Sequence, residues 1–221
     1  ATGALLLLES PGIRKEYLSF RGKPINNSFQ DTRLILQHVQ PLQNWNLLQY
    51  AENRGIKKDL VCRYCYEVHY NRLNPETGEQ KKYFSLGFKN DRDGWELRNQ
   101  YFKNCISPKT ITTIPGKLSK MLSIFEGFFD FLSACQFFNV QKPAGTVIIL
   151  NSTIHVQKVL PLLQNYDKIS LYLDNDTTGQ LAAKKIREAH SRITNYSQII
   201  YPEHKDFNEF LTNRETGTNN H

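Results

Sequence analysis

The chain has 221 residues, 39% hydrophobic and 22% charged, a composition that excludes disorder and leaves ample material for a buried core in one large domain or two small ones. Its longest purely apolar runs, such as Ala4 to Leu8, are far too short to span a bilayer, and the rich stretch from Met121 to Phe138 is interrupted by Glu126 and Asp130, so no membrane partner is expected. The net charge of +7 is unevenly placed: residues 1–115 hold 17 Lys and Arg against 11 Asp and Glu, residues 116–221 hold 11 against 10, and the basic first half favours polyanionic partners such as nucleic acid.

Residue 1 is Ala rather than Met, and no basic, apolar leader with a small-residue cleavage site follows it. The chain therefore reads as a fragment of a longer protein whose default compartment is the cytoplasm. Residues 1–44 mix Pro11, Gly12, Gly22, Pro24 and Pro41 with a polar Asn-Asn-Ser run and show one short helical patch, Thr32 to Val39. They are expected to form a connecting arm. WNLLQYAENRGI, from Trp45, has apolar residues at helical spacing and ends at Gly55, a residue suited to a helix C-terminus. DLVCRYCYEVHY fits both periods, strand and helix. NPETGEQKK reads as a hairpin turn between the strand-like runs EVHYNRL and YFSLGF, and DRDGWELRNQYF closes this segment.

Beyond Pro115 and Gly116 the pattern changes. Strand-like runs at Met121–Phe125, Thr146–Leu150 and Ile169–Leu173 alternate with helical spacing at Gly127–Phe138, His155–Leu163 and Thr177–His190, and a last strand is expected at Gln198–Tyr201. Such alternation implies a parallel sheet covered on both faces, with right-handed crossovers and reactive groups gathered at the carboxyl ends of the strands. The expected layout is an arm over 1–44, a basic α+β subdomain over 45–115, an α/β catalytic domain over 116–211 and a tail over 212–221.

Four cysteines, Cys62, Cys65, Cys105 and Cys135, include one Cys-x-x-Cys with His69 nearby, but no second pair completes a four-ligand zinc site. They read as reduced thiols.

The acidic residues carry the chemistry. Glu126 ends the first strand of the second half and Asp174 ends the third, with Asp176 in the following turn, so a parallel sheet brings all three to one edge. Any one of them alone reads as a turn, a helix cap or a solvated loop acid. Together they would repel one another unless a cation intervened, and hard oxygen ligands with room for water suit Mg²⁺ and phosphoryl chemistry. Asp206, in HKDFNEF, lies just beyond the last strand and is expected at the same edge; Gly127 leaves the backbone room for a large ligand. An EF-hand loop is excluded, since Thr178 replaces its third acid and Lys185 its twelfth-position glutamate. A haloacid-dehalogenase-like phosphatase fits Asp174, Asp176 and Thr178 but needs a longer domain after its aspartates than the 45 residues that follow Asp176.

IFEGFFD (Ile124–Asp130), LYLDNDTTGQLAAKKI and the closing HKDFNEFL resemble the TOPRIM domain shared by bacterial primases, topoisomerases and some nucleases. Glu126, Gly127 and Asp130 look most like the primase branch, and LLQYAENRGI and GFKNDRDGWELRNQYFKN resemble primase segments upstream of TOPRIM, so the chain is similar to primase-like TOPRIM proteins of mobile elements over roughly residues 45–211. The resemblance implies an α/β TOPRIM-type parallel sheet with flanking helices, preceded by a smaller basic subdomain. It implies Mg²⁺, with Mn²⁺ as a substitute, on Glu126, Asp174 and Asp176, with Asp130 and Asp206 as supporting or second-metal acids. Arg98, Lys103, Lys117 and Lys205 are the expected nucleotide or template contacts, and Tyr83, Phe84, Trp95 and Tyr101 are candidates for stacking on bases. The implied activity is synthesis of short RNA primers from ribonucleoside triphosphates on single-stranded DNA, with a replicative helicase as a further partner; a metal-dependent TOPRIM nuclease or a non-catalytic nucleic-acid-binding module are the alternatives. The zinc module that bacterial primases carry at their start is not recognisable, nor is a helicase-interacting end; zinc is expected only in a segment upstream of this one.

Overall fold

Two five-stranded sheets organise the chain in this computed structural model, which describes residues 33–217. Most of the expected arm, residues 1–32, and the end of the tail, residues 218–221, lie outside the described residues. The first sheet is antiparallel and in sequence order: β1 (Leu34–Pro41), β2 (Cys65–Leu73), β3 (Gln80–Lys89), β4 (Trp95–Arg98) and β5 (Lys103–Ile106). Helices α1 (Trp45–Glu52) and α2 (Lys58–Tyr64) connect β1 to β2. Asn44 caps α1, its side-chain oxygen accepting from the Asn46 N–H at 3.0 Å, and Gly55 follows with φ +72°, a left-handed conformation that only glycine adopts freely. The β2–β3 turn is the predicted one: Asn74 Oδ1 accepts from the Glu76 N–H, and Gly78 has φ +71°.

The expected helical patch at Thr32–Val39 is instead strand β1. Its pairing with β2, Leu36 opposite Tyr70 and Val39 opposite Val68, joins residues some thirty positions apart, and local spacing carries no sign of such a partner. The ambiguous DLVCRYCYEVHY is both: α2 ends at Tyr64 and β2 begins at Cys65.

The second sheet runs β10 (Ile193–Asn195), β9 (Lys168–Tyr172), β7 (Leu118–Phe125), β8 (Gly145–Ile149), β6 (Thr112–Ile114), parallel except for β6. Helices α3 (Phe128–Phe137), α4 (Val156–Val159), α5 (Thr177–Ala189), α6 (Ser197–Ile200) and α7 (Phe207–Gly217) complete this half. The helix expected at His155–Leu163 is a short α-turn between two 3₁₀ segments, the second with Pro161 in its opening turn. The strand expected at Gln198–Tyr201 is α6, and the sheet ends instead with β10, Ile193 opposite Ile169. Ile199 is 63% exposed while Tyr201 is buried, so that run has no period-two face to lay on a sheet.

β6 belongs to both halves. Its Thr113 N–H and hydroxyl each donate to the Asp91 carboxylate at 2.7 Å, and Thr112 Oγ1 donates to the Lys89 carbonyl at 3.1 Å, while its backbone pairs with Val147–Ile149 of β8. One core joins α1, α2 and β3 to α3 and α7, with Phe88 stacked on Phe128 at 4.9 Å; a second lies between the opposite face of the parallel sheet and α4 and α5. Truncating Phe88 to alanine should cost about 3–5 kcal/mol, measurable by denaturant unfolding, because the cavity opens where the two halves meet. Among the described residues no helix is long and apolar enough to cross a membrane.

Candidate functional site

Because β7, β8 and β9 are parallel, the loops at their carboxyl ends open on one edge of the sheet. Glu126 leaves β7 there and its Oε2 accepts the Asp174 backbone N–H at 3.3 Å, which ties the β7 loop to the β9 loop. Asp130, one turn into α3, is buried, and its Oδ1 accepts the Asn208 N–H at 3.4 Å from α7. Asp206 caps α7 through the Glu209 N–H at 2.7 Å. Asp176 caps α5, accepting from the Gly179 N–H at 2.9 Å and the Thr178 hydroxyl at 2.8 Å.

A cleft of about 470 Å³ lies over this edge. Of the ten acidic, basic and glycine residues singled out from the sequence, eight line it: Glu126, Gly127, Asp130, Asp174, Asp206, Arg98, Lys103 and Lys205. Of the four aromatic candidates Tyr101 lines it as well, whereas Tyr83, Phe84 and Trp95 do not, Trp95 being buried in the core of the first sheet. Asp176 is not among the residues lining the cleft; it caps α5 through Oδ1. Lys117 is exposed just ahead of β7, at the opposite end of that strand, and the fold does not bring it to the cleft. Arg98 and Lys103 face each other across the β4–β5 pair, so the first sheet supplies one wall and the parallel sheet the other.

Sequence reasoning missed Arg54, which also lines the cleft. It follows α1, its guanidinium lies 5.0 Å from the centre of the Phe129 ring, and its carbonyl accepts from Asn208 Nδ2 at 2.8 Å. Arg98 sits over Phe128 in the same manner at 5.5 Å. Only the packing of α1 against α3 and α7 delivers Arg54, and the sole trace in the sequence is its place just before Gly55.

Basic side chains share the cleft with the acids but do not pair with them directly. Among the described residues none of Glu126, Asp130, Asp174, Asp176 and Asp206 forms an ion pair. Burial, then the charges of Asp130, Glu126 and Asp206, pushes the Asp174 carboxyl up to about 8. Burial and Asp206 raise Asp130 to about 7, and burial raises Glu126 against the opposing Asp174 N–H. The Gly179 N–H and Thr178 hydroxyl hold Asp176 below the usual carboxylate range. Among the described residues no three acidic, imidazole or thiol groups stand close enough together to hold a metal ion; Glu126, Asp130, Asp174 and Asp206 line the cleft. An all-oxygen donor set whose acids repel one another, with room for water, fits a hard divalent cation such as Mg²⁺.

The raised Asp174 value has a stability consequence. Its folded pKa lies above the unfolded one, so its contribution is most favourable below about pH 4 and declines as pH rises toward about 8. In chelator at about pH 8, Asp174→Asn should therefore melt higher than the wild type, about 2–4 °C for each kcal/mol relieved, with the difference vanishing toward about pH 4; calorimetry over that range checks it.

Residues 123–211 match the family model described as Toprim-like, and residues 36–107 match a domain of unknown function, DUF8464. The structure resembles the primase fragment of the bacteriophage T7 primase-helicase protein, at 15% identity over 83% of this chain and 79% of that one, TM-score 0.50. It also resembles the Aquifex aeolicus primase with its zinc-binding and RNA polymerase domains, at 17% identity over 81% of this chain and 55% of that one, TM-score 0.51. A third resemblance is to primase domains of bacteriophage T7 solved with an RNA/DNA hybrid and dTTP, at 14% identity over 80% of this chain and 92% of that one, TM-score 0.50. No curated protein matches the chain in sequence. Fold and acidic edge define a TOPRIM architecture, an α/β parallel sheet with flanking helices and an antiparallel sheet ahead of it. Residues 123–211 form a Toprim-like domain, and the fold of the chain resembles those of the primase fragments just named.

Proposed function

We propose that the chain is the catalytic core of a primase that joins ribonucleotides into short primers on single-stranded DNA. The observation that carries this is the meeting of Glu126, Asp130, Asp174 and Asp206 with Arg54, Arg98, Lys103 and Lys205 around one cleft. Acids alone would suit many cation sites. Acids facing a cationic wall suit a polyphosphate held between metal and guanidinium groups.

In this proposal Glu126, Asp174 and Asp176 would hold the catalytic Mg²⁺, with Mn²⁺ as a substitute, and Asp130 and Asp206 would support it or hold a second ion. When bound, the metal offsets charge on the phosphate oxygens during in-line displacement. Arg54 and Arg98, each braced on a phenylalanine ring, present planar forks to the phosphates, and Lys103 and Lys205 add point charges. Desolvation and the neighbouring Arg98 lower the Lys103 pKa, and Asp174 and Glu126 oppose that shift. Gly127 keeps the backbone open beside Asp130: a Cβ there would lie 3.1 Å from Asp130 Oδ2. The template runs along the basic first half, held by its phosphates, so binding weakens with salt.

Single-stranded DNA, ribonucleoside triphosphates and a replicative helicase are the proposed partners, replication of a mobile element the setting, and the cytoplasm the compartment. The test is incubation of the chain with single-stranded DNA, labelled ribonucleotides and Mg²⁺, with products resolved on a gel. Short labelled oligomers are expected. DNA shortened without synthesis would replace the proposal with a TOPRIM nuclease, and tight DNA binding without either product would replace it with a binding module.

A further inference from the structure

Asn175, between the two aspartates of the β9 loop, is the most fully bonded side chain at the site. Its backbone N–H donates to the Lys205 carbonyl at 2.6 Å. Its Nδ2 donates to the carbonyls of Tyr201 and His204, each at 2.8 Å. Its Oδ1 accepts from Gln198 Nε2 at 2.6 Å, and its carbonyl accepts from Gln180 Nε2 at 3.0 Å. Two carbonyl partners fix which end of the amide is the nitrogen, since a carbonyl only accepts.

Three of these five bonds reach one segment, residues 201–205, which leads directly to Asp206. That segment is tied at its far end as well: the Lys205 N–H donates to Glu209 Oε2 at 2.6 Å while Asp206 caps the Glu209 N–H. Asp206 is thus carried on a strap clamped to the α7 turn on one side and to Asn175 on the other. Asp174 and Asp176, the chain neighbours of Asn175, sit at the other end of the same clasp. The side chain itself is not among the residues lining the cleft.

We propose that Asn175 is a positioning residue that sets the spacing between Asp174 and Asp206, and so the affinity of the acidic cleft for divalent cations. This rests on the proposed function, in that the acids hold such cations. Asn175 touches neither cation nor substrate; it acts through the 201–205 strap. Partners that orient metal-holding groups typically account for about 10- to 100-fold in metal affinity.

The experiment is Mn²⁺ titration of the full chain, followed by electron paramagnetic resonance, with thermal unfolding in chelator measured alongside. Asn175→Ala should weaken Mn²⁺ binding at least about 10-fold in molecules that remain folded. On an Asp206→Ala background the same change should weaken binding little further, because both substitutions act on one strap. Unchanged Mn²⁺ affinity with a lowered melting temperature would overturn the inference and leave Asn175 a stabilising residue only, as would full additivity with Asp206→Ala. Asn175→Ser, which keeps one donor in place of two, carries the same test if the alanine variant does not fold. Absence of Mn²⁺ binding by the wild type would overturn the proposed function and this inference with it; equal binding by wild type and variant would overturn this inference alone.

Discussion

Asp174→Asn abolishes primer synthesis while the fold persists, a loss expected to exceed about 1,000-fold, or roughly 4 kcal/mol of transition-state stabilisation. The substitution is nearly isosteric and keeps the backbone N–H that donates to Glu126 Oε2. What it removes is one of the carboxylates, half-buried here, that make the cleft attractive to a cation. Asparagine is neutral at every pH, so raising the pH cannot restore activity. The gel assay already described, together with far-ultraviolet circular dichroism, checks both halves. Retained activity in a correctly folded variant would remove Asp174 from the metal assignment. The same variant should be the more stable protein in chelator at about pH 8, so activity and stability move in opposite directions, as expected where a site stores electrostatic repulsion.

Gly179→Ala should be nearly as damaging by a steric route. A Cβ at this position would collide with the carbonyl oxygen of Asp174 and lie 2.9 Å from its carbonyl carbon, both backbone atoms that no rotamer change can move aside. Gly179 also donates its N–H to Asp176 Oδ1, so the close approach of α5 to the β9 loop is what makes the cap. Alanine must push the first turn of α5 away from Asp174, loosening the cap and displacing the acid. The expected cost is about 1–3 kcal/mol or more in unfolding free energy, with primer synthesis falling further than stability alone explains. A control at Gly78 separates the two effects: it sits in an exposed turn with nothing near a Cβ, although its φ of +71° carries a local backbone penalty.

The parallel sheet was legible because its strands are short apolar runs separated by segments of helical spacing, and each of β7, β8 and β9 lies within three residues of its expected limits. Glu126 and Asp174 were legible for the same reason, as acids placed where such runs end. β1 was not, because its identity as a strand depends on β2 some thirty residues away. Arg98 and Lys103 were legible only through the resemblance of GFKNDRDGWELRNQYFKN to a primase segment; that they face each other on the β4–β5 pair, and that this pair lies over the acids beside the Phe88–Phe128 stack, no local pattern encodes. Arg54 was invisible for that reason as well. Lys117 shows the reverse error: proximity in sequence to β7 puts it near Glu126 along the chain, yet a strand of eight residues carries the two to opposite ends.

β6 has a practical consequence for anyone wishing to isolate the Toprim-like segment. A fragment cut to residues 123–211 would discard β6 and the opening residues of β7, and the outer edge of β8 would lose its partner. That edge is Val147, Ile148 and Ile149, all buried in the intact chain. Stripped of its cover it becomes an apolar template for another copy, and such a fragment is expected to pair edge to edge or precipitate. Retaining residues from Asp91 onward keeps the carboxylate that grips Thr113, and with it the strand that shields the sheet.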